Sequence, residues 1–134
     1  MNRLLNLNAD LGESFGPWSM GSDAEMLGIV GSANVACGYH AGDPLVMTST
    51  AALALKHGVS IGAHPGYPDL QGFGRRRMDI PLPELEAMLI YQIGALDACA
   101  RAQGLRVTHV KPHGALSNIA CADRKVADAV ARAV

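Results

Sequence analysis

The chain is poor in charge, in aromatics and in cysteine. Asp, Glu, Lys and Arg make up 17% of its 134 residues and nearly cancel, leaving a formal net charge of −1. That balance excludes the basic footprint of a nucleic-acid binder and the polybasic face that holds anionic membrane. Aromatic residues are only 4%, too few for a platform on which bases stack. Cys37, Cys99 and Cys121 are odd in number and far apart, without a C-x-x-C pair. A disulfide frame or a structural zinc knot is therefore not expected, and reduced thiols in a cytoplasmic protein are. No apolar run approaches the roughly 20 residues that cross a bilayer. The opening MNRLLNLNAD is broken by Asn6, Asn8 and Asp10 and does not read as a signal peptide. The glycine signatures of P-loop and Rossmann nucleotide sites are missing too.

What the chain does have is apolar side chains, 49% of the total, enough to bury a sizeable core within one domain spanning residues 1–134. Four strand-then-helix units follow in order. Leu5, Leu7 and Ala9 alternate with Asn6 and Asn8 as a first strand. Ser22 to Glu25 reads as a capping box opening a helix over Met26–Val30. Ala33 to Cys37 is the second strand, and Asp43-Pro44 opens a helix that Gly58 ends. Val59 to Ala63 is the third strand, followed by an irregular, Gly- and Pro-rich stretch from Pro65 to Pro81. Leu85, Leu89, Leu96 and Ala100 mark the third helix, Val107 to Lys111 the fourth strand, and Asp123 to Val134 a fourth helix.

Strands alternating with helices imply an α/β fold with a parallel sheet, wound right-handedly. Four units are too few to close a barrel of about eight. Two open strand edges would remain, so the expectation is an incomplete barrel finished by more polypeptide or by another chain, a second copy included.

In such folds reactive groups collect at the carboxyl ends of the strands. Those positions here hold Asp10 and Glu13, then His40 and Asp43, then His64, then Lys111 and His113. Asp43 also suits a helix cap. His57, at a helix end, and His109, in mid-strand, are expected to be structural. Asp10, His40 and His64 would make a face for a divalent metal, zinc or magnesium. Without metal, a carboxylate as base, a histidine as acid and Lys111 as electrostatic clamp would serve instead. Spacing does not choose between the two. Arg75 and Arg76, flanked by Gly72 and Gly74, are candidates for an anion-binding lid.

Several strings are longer and more unusual than any of these patterns. Asn8-Ala9-Asp10-Leu11-Gly12-Glu13-Ser14, Asn34-Val35-Ala36-Cys37-Gly38-Tyr39-His40-Ala41-Gly42-Asp43-Pro44, Gly62-Ala63-His64-Pro65-Gly66-Tyr67 and Val110-Lys111-Pro112-His113-Gly114-Ala115-Leu116 follow one another in this order. They resemble the motifs of the LamB/YcsF family. The resemblance implies a distorted (β/α) barrel of the glycoside hydrolase/deacetylase type. It also implies the role of the A component of an ATP-dependent 5-oxoprolinase, which works with B and C subunits, takes ATP as co-substrate and opens a lactam to L-glutamate. The family's polar residues would fall on Asp10, Glu13, His40, His64, Lys111 and His113. Ser117 stands where the family motif usually carries Tyr, and family members are about twice this long. Two other readings stand beside it: a metal-dependent deacetylase or amidohydrolase acting on a small N-acyl or sugar substrate, and a non-catalytic lactam-binding subunit.

Overall fold

Period-two alternation sorts the first three strands of this chain into one apolar face and one polar face, and the fourth, whose pairing shifts register between Val107 and Val110, turns both valines to the apolar side. In a computed structural model, which describes residues 5–134, β1 (Asn8–Leu11), β2 (Ser32–Ala36), β3 (Ser60–His64) and β4 (Val107–Val110) form one parallel sheet in the order β1-β2-β3-β4. Residues 1–4, part of the opening that does not read as a signal peptide, lie outside the described residues. Between the strands run α1 (Asp23–Leu27), α2 (Pro44–His57) and α3 (Leu82–Ala102), and after β4 come α4 (Gly114–Ala122) and α5 (Arg124–Ala133). Among the described residues no helix is long and apolar enough to cross a membrane.

Leu11, Ala33, Val35, Ile61 and Ala63 form the apolar face and pack with Met47, Ala51 and Ala54 of α2 and with Leu96 and Ala100 of α3. Burying side chains such as Ile61 and Leu96 contributes about 1.5–3 kcal/mol each. A second cluster joins Leu85 and Leu89 of α3 to Ala115, Leu116 and Ala129 of the last two helices. Together the helices cover one side of the sheet. The polar side is left to Asn8, Asp10, Asn34, His64 and His109.

Strands two to four and the last helix lie within one residue of their expected bounds, and three elements differ by more. Strand one starts at Asn8, because the Leu7 carbonyl already takes the Gly31 and Ser32 N–H groups from the neighbouring strand's start. Leu5 and Leu7 lie outside, exposed. The first helix begins at Asp23 and stops at Leu27, and Ser22 makes no side-chain cap bond. Asp23 instead accepts the Gly12 N–H at 2.8 Å, tying the helix start to the end of β1. The α4 helix is an addition to the expected elements. Its short stripe of Ala115, Leu116 and Ile119 follows a glycine and carries no capping residue that would announce it. The second helix is as expected: Asp43 accepts the Leu45 and Val46 N–H groups, and Gly58 ends it at φ +65°.

Candidate functional site

The polar face of the sheet is built in rows. Strand register sets Asp10 beside Asn34 and Asn34 beside Gly62. Gly62 is small for a reason: a Cβ there would collide with the His109 ring, which lies over it. The Asn34 amide donates to Asp10 Oδ1 at 2.8 Å, which orients the amide and leaves its oxygen 2.9 Å from His109 Nε2. An amide oxygen cannot donate, so His109 carries its proton on Nε2, and the Thr108 hydroxyl meets Nδ1 at 2.9 Å. His109, expected to be packing, is therefore part of a hydrogen-bonded chain that ends on Asp10. Neither it nor Asn34 is distinguished by sequence, since mid-strand polar residues show their face only once the register is known.

One row higher, at the strand ends, the side chains expected to converge do so. Lys111 Nζ reaches Asp10 at 2.7 and 3.0 Å. These residues belong to the two outer strands, three strand spacings or roughly 14 Å apart in a flat sheet. Their contact shows that the sheet is rolled, polar face inward. His64 Nε2 lies 3.4 Å from Asp10 Oδ2, while His64 Nδ1 donates to the Lys111 carbonyl at 2.6 Å. His113 Nε2 donates to the Phe73 carbonyl at 2.7 Å, and its Nδ1 lies 3.0 Å from His64 Nε2. His40 stacks on His113 with centroids 3.7 Å apart and its Nε2 reaches Glu13 at 3.3 Å. All three imidazoles are buried.

Two backbone carbonyls thus set the tautomers of His64 and His113 and turn the remaining nitrogens toward each other. In neutral rings those are two lone pairs, so a proton or a cation is needed between them. Burial, and then the neighbouring His40, push His113 down to about 4. Burial likewise lowers His40. His64, when it carries a second proton on Nε2, together with the hydrogen bonds from Lys111 and Asn34, holds Asp10 far below the usual carboxylate range against the opposing effect of its burial. Asp10 is ionised at any working pH.

Phe73 sits at φ +53°, the one non-glycine residue with positive φ among those described. Its strained turn aims the carbonyl at His113. Gly74 follows at φ +63° and its carbonyl accepts the Ala115 N–H at 3.0 Å, locking the loop onto α4. From below, Gln92 of α3, fully buried, exchanges two 3.0 Å bonds with the Gly66 backbone. The long loop is a fixed cover over the histidines.

The remaining expected residues divide. Arg75 lines the cavity beside Asp10, His64 and Lys111, whereas Arg76 turns away to Asp69, with its Nε at 3.0 and 3.1 Å from the two carboxylate oxygens. Asp43 accepts three backbone N–H groups, from Leu45, Val46 and Gly16. For a metal, the donor atoms that gather within 4.8 Å of one another come from Glu13, His40, His64 and His113. His40 and His64 of the expected set are in this group together with Glu13 and His113, while Asp10 lies beside it, 3.4 Å from His64 Nε2 and paired with Lys111.

The sequence profile of the LamB/YcsF family matches residues 5–134. The chain belongs to the LamB/YcsF family. It is 65% identical over 130 residues to the 5-oxoprolinase A subunit of Azoarcus sp. (strain BH72), covering 97% of this chain and 51% of that protein. It is 56% identical to the corresponding 5-oxoprolinase component of Bacillus cereus (strain AH187), with the same coverage. A crystal structure of a lactam utilization protein from Thermus thermophilus superposes with a TM-score of 0.94 at 53% identity, over 96% of this chain and 52% of that one. This LamB/YcsF chain thus spans about half the length of the curated relatives it matches.

Proposed function

We propose that this chain is the N-terminal half of a 5-oxoprolinase A component, one α/β domain within a larger barrel, cytoplasmic and working with B and C subunits. The reaction is hydrolysis of 5-oxoproline to L-glutamate coupled to ATP, the co-substrate of the complex. The observation that carries this reading is the Asp10–Lys111 ion pair set against His64 Nε2 at the mouth of a cavity. Among relatives named for 5-oxoprolinase, that arrangement favours lactam opening over deacetylation.

The lactam amide is resonance-stabilised and almost unstrained, so water attacks it slowly. His64, its Nδ1 proton held by the Lys111 carbonyl, takes a proton from water at Nε2. Asp10 stays charged and stabilises the imidazolium that forms, while Lys111 faces the oxygen on which negative charge develops. The water oxygen ends in the new carboxylate. The ring nitrogen, once the C–N bond breaks, takes the proton and becomes the amino group. Phosphorylation of the amide oxygen at the expense of ATP would make the carbon more electrophilic, and Lys111, which faces that oxygen, is the cation that would hold the phosphoryl group.

A second reading concerns a cofactor. Ligands about 2.0–2.1 Å from a tetrahedral zinc lie roughly 3.3 Å from each other. His64–His113 at 3.0 Å, His40–Glu13 at 3.3 Å and His113–Glu13 at 3.8 Å approach that spacing. The carbonyl partners of His64 and His113 are those that metal-bound imidazoles usually have. His40 fits less well, because its buried Nδ1 has no hydrogen-bond partner to fix the tautomer that would free Nε2. A divalent ion held by Glu13, His64 and His113, with His40 beside them, would polarise the carbonyl or acidify a water.

The test is kinetic. Asp10→Asn and His64→Ala, each assembled with the partner subunits, are expected to lose at least about 100-fold in lactam-dependent turnover. Near-normal rates in both would put the chemistry elsewhere.

A further inference from the structure

The run Arg75-Arg76-Arg77 looks uniform in sequence, but its three charges meet different surroundings. Arg76 pairs with Asp69 and Arg77 with Asp79. Arg75 has no carboxylate partner among the described residues, and its guanidinium carbon sits 5.5 Å from the centroid of the Phe73 ring. It borders a cavity of about 310 Å³ whose lining also includes Asp10, Lys111, His64, Ser117 and Asn118. The side chains of Ser117 and Asn118 likewise have no hydrogen-bond partner among the described residues.

Charge decides what such a cavity takes. Asp10 and Lys111 neutralise each other at 2.7 Å. The guanidinium of Arg75 is then a cation of the cavity without a carboxylate partner among the described residues, a planar donor fork that matches a carboxylate or a phosphate. A hydroxyl and an amide near it can complete the coordination of an oxyanion. The cavity lies at the small end of ligand pockets and is roomy for a ligand of about nine heavy atoms.

We propose that Arg75, with Ser117 and Asn118, forms the subsite for the carboxylate of the lactam substrate and so directs the amide carbonyl toward His64 and the Asp10–Lys111 pair. This rests on the lactam reading above. It makes Arg75 a binding residue specific for lactams that bear a carboxylate. Arg76, held by Asp69, only shapes the loop.

The discriminating pair of ligands is 5-oxoproline and 2-pyrrolidinone, the same ring without the carboxylate. Calorimetric titration of the full-length protein is expected to show Arg75→Gln weakening 5-oxoproline roughly 10- to 100-fold while 2-pyrrolidinone changes by less than about twofold. Arg77→Gln, whose side chain is exposed and paired with Asp79, should alter neither. Unchanged 5-oxoproline affinity in Arg75→Gln, or equal losses for both lactams, overturns the subsite. Inorganic phosphate separates the two oxyanions: Arg75-dependent phosphate binding that leaves 5-oxoproline binding undisturbed overturns the carboxylate assignment. Failure of both lactams to bind the unaltered protein instead sinks the lactam reading itself.

Discussion

His64 Nε2 and His113 Nδ1 face each other at 3.0 Å while the carbonyls of Lys111 and Phe73 hold the protons on the far sides of both rings. Backbone geometry, which a side chain cannot relax, imposes this opposition of lone pairs. The pair therefore recruits a positive charge, either a shared proton or a metal ion.

If the charge is a metal, the ligand set predicts which substitutions matter. Glu13→Gln should weaken zinc binding by at least about tenfold, whereas Asp10→Asn should weaken it less, because Asp10 lies outside the donor group, is held by Lys111 at 2.7 Å and meets the group only at His64, 3.4 Å away. Metal content after dialysis, with calorimetric titration, measures both. Equal loss in the two variants would place Asp10 among the ligands.

Without metal, His113 makes stability pH-dependent. Its pKa falls from 6.5 to about 4 on folding, so between those values the unfolded chain binds the proton and the native chain does not. Stability from this group is complete above about pH 6.5 and is lost as pH falls toward 4, by something on the order of 1–3 kcal/mol. Urea midpoints across that range in the presence of a chelator check the sign. His113→Asn should flatten the slope.

Asp10 behaves differently, though its pKa is also lowered. A depressed carboxylate contributes stability above its unfolded pKa and loses it only in strong acid. Lactam turnover should accordingly show no acid limb from Asp10 between about pH 5 and 8. A kcat profile whose acid limb vanishes in Asp10→Asn would contradict its assignment as permanently ionised.

Gly74→Ala tests the loop cover. A Cβ at this position would lie 2.8 Å from His40 Cβ and 2.9 Å from His113 Cδ2, in a backbone conformation of φ +63°. Left-handed strain and displacement of two stacked rings should together cost about 2–4 kcal/mol. Chemical denaturation reads this directly, and the tautomer of His113, followed by nitrogen NMR, should change with it.

Asp43→Ala should cost about 1–2 kcal/mol, as three N–H groups lose their acceptor. A shift of the urea midpoint at constant slope would place the effect on stability alone.

Much of the framework is legible from residue order. Apolar strands followed by capped amphipathic helices dictate a parallel sheet, and in such a sheet Asp10, His40, His64 and Lys111 must all emerge at one end, whatever the curvature. Local chemistry likewise marks Asp43 and Gly58 as the limits of a helix, because caps depend on neighbours two or three residues away. Pairing is beyond reach. Whether Asp10 meets Lys111, 101 positions later, depends on how far the sheet rolls, and whether Arg75 or Arg76 keeps its charge available depends on where Asp69 lies. His109 looks like packing until register places it over Gly62 and beside Asn34. The tautomers of His64 and His113 are set by carbonyls of residues whose side chains are irrelevant to the contact. Sequence determined which groups reach the rim; the tertiary structure alone decided which of them hold one another and which remain available to a ligand, since those contacts join residues far apart in the chain.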